Sequence, residues 1–117
     1  MINQEFMVFE LFKNQEDLIG QRVAINTVLV IRGEECYLTQ NFDLNTDTQR
    51  INIHSPEIEE KLSSSIPCWV GGPATYFDTV KIVGVLRNGT ARRNSLSISD
   101  VSLVVLYRDE GIYEIEL

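Results

Sequence analysis

The feature that most constrains this chain is the run from Arg22 to Arg32. It is dense in β-branched residues (Val23, Ile25, Thr27, Val28, Val30 and Ile31). Such residues favour extended backbone, so the run predicts one long strand. Its alternation opens with Val23 and Ile25 inward and Ala24 and Asn26 outward. It then slips near Thr27, as expected of a strand that bends or carries a bulge. A strand of this length can pair with different neighbours along its two halves, which is what closure into a small barrel demands.

The rest of the chain is punctuated around that strand. Gly33-Glu34-Glu35 predicts a turn into a second strand, Cys36 to Gln40, so the two form a hairpin. Asn41 to Gln49 is polar and predicts a loop. Arg50 to His54 predicts a third strand with Ile51 and Ile53 buried. Ser55-Pro56-Glu57 is a helix start: a serine cap, a proline in the first turn and an acid at the positive end of the helix dipole. Ile58 and Leu62 give this helix one apolar stripe, and Pro67 closes it. Cys68 to Phe77 predicts a connection, Thr79 to Leu86 a fourth strand, and Asn88-Gly89 a turn. Leu96 to Tyr107 predicts a fifth strand, broken near Ser99-Asp100. Asp109 to Leu117 alternates imperfectly and predicts an added edge strand. Periodicity does not decide between helix and strand for Gln4 to Lys13.

The resulting fold class is mainly β. It is a five-stranded OB-fold barrel with a helix between strands three and four and a short N-terminal helix. The 117 residues make one domain: an N-terminal helical segment over 1–20, the barrel over 21–108 and a tail over 109–117. A resemblance supports this reading. Phe9-Glu10-Leu11-Phe12-Lys13-Asn14, then Leu18-Ile19-Gly20-Gln21-Arg22-Val23-Ala24-Ile25, resembles the opening of bacterial OB-fold domains of the tRNA-anticodon-binding-like group. Asp78-Thr79-Val80-Lys81-Ile82-Val83-Gly84-Val85-Leu86 resembles their fourth strand. The resemblance implies the fold and a helical residue 4–13 segment; it implies no ligand, because OB domains serve many functions.

Reactive constellations are sparse. His54 is the single histidine, and Ser55 beside it reads as a helix cap. Cys36 and Cys68 have no metal-ligand spacing and are expected to be reduced in the cytoplasm, the compartment expected for the chain. The first twelve residues lack the basic start of a secretory signal, and no apolar run approaches the ~20 residues of a membrane-spanning helix. Gly71-Gly72-Pro73 lacks the Lys-Ser/Thr ending of a phosphate loop. The expectation is therefore a non-enzymatic protein with no cofactor and no metal.

Charge separates the two remaining function classes. The net charge is −7. Glu34, Glu35, Asp43, Asp47, Glu57, Glu59 and Glu60 are opposed within their span by Arg50 alone among the arginines. This predicts a docking surface for a basic protein partner built from Glu34, Glu35, Asp43, Asp47, Glu57 and Glu60, with Trp69 as an apolar anchor. In its sharpest form the chain is a small acidic immunity protein that neutralises a basic, nuclease-type bacterial toxin domain. The alternative is a single-stranded DNA or RNA binder. In that case Arg87, Arg92 and Arg93 would grip phosphates, and Tyr37 or Trp69 would stack on bases. An acidic chain repels nucleic acid unless its basic residues are gathered, so the protein partner is preferred.

Overall fold

The computed structural model describes residues 5–32, 35–39, 50–66, 76–89 and 96–117. The chain starts with strand β1 (Glu5–Met7), followed by helices α1 (Val8–Lys13) and α2 (Gln15–Leu18). Strands β2 (Arg22–Arg32), β3 (Glu35–Thr39) and β4 (Arg50–His54) lead into helix α3 (Pro56–Ser65). Strands β5 (Tyr76–Asn88), β6 (Leu96–Arg108) and β7 (Gly111–Glu116) complete it.

Five strands close on themselves in the order β2-β3-β4-β6-β5, and β5 returns to pair with β2. The protein is thus mainly β, a closed five-stranded barrel compatible with the OB-type arrangement, with α3 between its third and fourth strands. All pairs are antiparallel except β4 with β6 and β1 with β2. The long strands serve two neighbours each. Along one edge of β2, residues 24–26 hold β1 and residues 28–32 hold β3, while β5 runs along the other edge. On β6, residues 96–99 hold β4 and residues 103–108 hold β7.

The N-terminal segment differs from the expected single helix. Glu5–Met7 is extended and pairs with Ala24–Asn26, so helix begins only at Val8. The edge of β2 that β3 leaves uncovered binds these residues as strand, and tertiary pairing overrides local periodicity. Glu10 then accepts the Met7 N–H at 2.9 Å and caps the first turn. Gly20 takes φ +88°, a left-handed value suited to glycine, and turns the chain into β2.

β2 carries no bulge; its register with β5 is continuous from Arg22 to Ile31. Thr27 keeps the inward phase, 5% exposed, with its hydroxyl donating to the Thr39 carbonyl at 2.6 Å. The sequence alternation fades because the strand changes environment. On one face Val23, Ile25, Leu29 and Ile31 join the main core. Val28 and Val30 on the other face enter a second buried cluster with Tyr37, flanked by Phe77.

The irregularity lies instead in β6. Val83 pairs with Leu103 but Val85 with Ser99, so β6 spends extra residues around Asp100. Asp100 takes φ 49°, a left-handed conformation that Asp tolerates better than most residues. At the same place β6 presses against Gly84: a Cβ there would lie 2.8 Å from Ile98 Cγ1 and 2.9 Å from the Ser99 carbonyl oxygen.

α3 fastens to the main core through Ile58, Leu62 and Ile66, all buried. Tyr76 donates its hydroxyl to the Ile66 carbonyl at 2.7 Å and ties the helix exit to β5. Ser55 occupies the cap position, but its side chain makes no cap hydrogen bond, contrary to the expectation.

Candidate functional site

The arrangement of α3 and β7 determines where acidic side chains gather. Burying Ile58 and Leu62 turns Glu57, Glu59 and Glu60 to solvent, where all three are exposed. α3 lies beside β7. On β7, Ile115 faces the main core and Tyr113 packs against it, which leaves Glu114 and Glu116 exposed. Among the described residues none of these five carboxylates is in an ion pair.

Most cations on the described residues are already engaged. Arg50 Nη1 lies 3.2 Å from Glu35 Oε2, and Arg32 Nη2 lies 3.7 Å from Glu35 Oε1. Lys81 pairs with Glu5 at 3.5 Å. Arg87 pairs with Asp100 at 3.3 Å and donates from Nε to the Ser99 hydroxyl at 3.2 Å. Arg22 reaches the same bulge, donating from Nη1 to the Asp100 carbonyl at 2.9 Å and to the Ser102 hydroxyl at 3.1 Å. These contacts are exposed and worth little individually, but they place a carboxylate or carbonyl beside each cation.

The residues singled out from sequence divide accordingly. Glu57 and Glu60 are exposed and come together with Glu59 on α3. Glu35 is exposed on β3 but serves Arg32 and Arg50. Glu34, Asp43, Asp47, Trp69, Arg92 and Arg93 lie outside the described residues. Arg87 is tied to Asp100. Tyr37 offers no open ring for a base: it is 2% exposed, with the Arg50 guanidinium 4.2 Å from its centroid. Its buried hydroxyl has no hydrogen-bond partner among the described residues. Glu114 and Glu116 were legible only as the alternation of the C-terminal tail, and nothing local ties that tail to α3.

Cys36 and His54, distant in sequence, line one cleft of about 340 Å³ with Ile53, Ser55, Ile58 and Glu59. Burial, aided by the Glu59 carboxylate, pushes the Cys36 thiol up to about 12. Only a thiolate is a competent nucleophile or metal ligand, and Cys36 is held as the neutral thiol near neutral pH. No group of three potential metal ligands gathers among the described residues. None of the described helices is long and apolar enough to cross a membrane.

Fold and surface together define a closed five-stranded β-barrel that, among the described residues, carries five exposed carboxylates outside any ion pair on α3 and β7. No protein-family model, curated protein or solved structure matches the chain.

Proposed function

We propose that this chain is an OB-type barrel working as a non-enzymatic protein-binding module, with a basic protein partner docking on its acidic side. The strand order β2-β3-β4-β6-β5, the parallel pairing of β4 with β6 and the position of α3 support the OB-type reading. The observation that carries the function is the asymmetry of surface charge. Arg32, Arg50, Lys81 and Arg87 are each matched by a carboxylate. Among the described residues Glu57, Glu59, Glu60, Glu114 and Glu116 form no ion pair, and they outnumber Lys61, the cation of α3. Such a surface speeds encounter with a cationic partner and repels phosphate backbones. A basic bacterial toxin domain, held inactive by an acidic immunity protein, is the sharpest form of this proposal.

The test is affinity purification from the native cells with and without nuclease, followed by pairwise titration of what is retained. The expected result is a basic protein retained regardless of nuclease, binding more weakly as salt rises. Retention that nuclease abolishes, with tight binding of a mixed-sequence single strand at physiological salt, would overturn the proposal in favour of nucleic acid.

A further inference from the structure

β7 leaves one strand edge open. It joins β6 through the two-residue turn Asp109-Glu110, with Arg108 paired to Gly111, Leu106 to Tyr113 and Val104 to Ile115. Residues of an antiparallel pair alternate between bonding their neighbour and facing away. The phase is set by Leu117, whose N–H donates to the Ser102 carbonyl at 3.1 Å. By alternation Gly111, Tyr113 and Ile115 also face β6. The N–H and C=O groups of Ile112, Glu114 and Glu116 therefore point away from it, along the opposite edge. Among the described residues no strand pairs with that edge and no hydrogen bond reaches those groups.

The side chains beside this edge specify what can join it. Ile112 is 68% exposed, and its cross-strand neighbour Tyr107 is 39% exposed, which makes an apolar ledge at one end. Glu114 and Glu116 follow, both exposed and without an ion-pair partner among the described residues. Glu57, Glu59 and Glu60 of the adjoining α3 add to the negative field. A second copy is a poor occupant. Antiparallel pairing about Glu114 sets that carboxylate against its own counterpart, and in-register parallel pairing sets both glutamates against theirs. Like charges directly opposite are destabilising, so the same glutamates that guard the edge against self-association favour a cationic strand.

We infer that the outer edge of β7 is a strand-addition site for an extended basic segment of a protein partner, with Lys or Arg opposite Glu114 and Glu116 and an apolar side chain opposite Ile112. The inference rests on the protein-binding reading and locates its contact. Main-chain hydrogen bonds from alternate residues supply affinity in this mode, and alternate side chains supply selectivity.

The test titrates the isotope-labelled full chain with a short synthetic lysine–valine peptide whose three successive alternate positions carry valine, lysine and lysine, with threonine between them, to lie opposite Ile112, Glu114 and Glu116. Controls are a glutamate–valine peptide and a lysine–valine peptide N-methylated at alternate amides, which keeps the charge but cannot pair along that edge. Amide hydrogen exchange should slow at Ile112, Glu114 and Glu116 and stay unchanged at Tyr113 and Ile115, with the lysine–valine peptide alone. Glu114→Pro should abolish this binding while retaining the fold, because the lost N–H points away from β6. If that variant does not fold, Glu114→Lys combined with Glu116→Lys decides. It should weaken the lysine–valine peptide about tenfold and admit the glutamate–valine peptide. Equal binding of the N-methylated peptide, no binding at all, protection on another strand, or the same amides protected in a homodimer would each overturn the inference. A basic partner from native cells that binds wild type and Glu114→Pro equally would overturn this site and leave the protein-binding reading standing.

Discussion

Asp78 on β5 and Arg108 on β6 meet in a bidentate ion pair inside the protein. Arg108 Nε donates to Asp78 Oδ1 at 2.9 Å and Nη2 donates to Oδ2 at 3.1 Å. Their side chains are only 3% and 4% exposed. The hydrogen bond to Asp78 raises the already high pKa of the guanidinium, with burial acting the other way. Taking both charges out of water costs nearly what their attraction returns, but removing one partner of such a pair is far worse. Asp78→Ala should therefore destabilise the fold by about 3–5 kcal/mol. Replacing both residues together, Asp78→Val with Arg108→Met, should restore most of the loss. Urea midpoints of the wild type, the single and the double variant check this; a double variant as unstable as the single would show that the pair itself contributes the stability.

That pair also marks where sequence reading stops. The β-branched run of β2, the Ser55-Pro56-Glu57 helix start and the Asn88-Gly89 strand end are local signals, and their elements form close to where those signals place them. The alternating tail likewise forms the edge strand β7. Asp78 and Arg108 are 30 residues apart, and only the register of β5 on β6 brings them opposite each other. The Arg87–Asp100 contact depends in the same way on the β6 bulge. Thr27 misled for a related reason: a polar residue facing inward looks like a break in alternation until the Thr39 carbonyl is known to receive its hydroxyl. The acidic face of α3 was legible from Glu57, Glu59 and Glu60, whereas its continuation onto Glu114 and Glu116 requires the approach of β7 to α3.

Gly84 is needed for space. A methyl group there would crowd two atoms of Ile98 at 2.8 and 2.9 Å and the Ser99 carbonyl oxygen at 2.9 Å. A side chain can swing aside, but a strand carbonyl held beside a bulge cannot. Gly84→Ala is expected to destabilise by about 1–3 kcal/mol, the range for overpacking. Adding Ile98→Val should recover little, since Val retains the closest carbon and the carbonyl is untouched. Thermal unfolding of both variants provides the measurement, and an unshifted midpoint for Gly84→Ala would mean that β6 can yield.

Cys36 should titrate late and react slowly. In the unfolded chain a thiol ionises near its ordinary value of 9.0, and in the fold Cys36 holds its proton to about 12. Between those pH values the folded state binds more protons, so stability falls as pH rises. The contribution is fully present below pH 9.0 and is lost on the way to 12. The stability difference between wild type and Cys36→Ala should therefore shift against the wild type across that window. In a Cys68→Ser background, iodoacetamide should label the native protein much more slowly than the urea-unfolded chain below pH 9.0; equal rates would contradict the half-buried, neutral thiol.

The acids of α3 should control association with the proposed basic partner more than Arg87 does. Glu57 and Glu60 are exposed and in no ion pair among the described residues, whereas Glu35 holds Arg32 and Arg50, so reversing Glu35 would disturb two local contacts and confuse the result. Glu57→Lys with Glu60→Lys should slow association, with a smaller effect on dissociation. The difference should shrink in high salt, because exposed charges are screened beyond a Debye length of about 8 Å in physiological salt. Glu57 lies in the first turn of α3, where a carboxylate favours the helix by about 0.3–1 kcal/mol. The paired change to Gln separates lost charge from reversed charge, and the helical signal of each variant shows that α3 remains formed. Arg87→Ala removes an exposed pair with Asp100 and a hydrogen bond to the Ser99 hydroxyl, neither of them involving α3, and should alter association little. A single-strand binder would invert this order: Arg87→Ala would weaken a mixed-sequence oligonucleotide, and the added lysines would tighten it. Stopped-flow association rates for the three variants against the co-purified partner, alongside oligonucleotide titrations, distinguish the two orders.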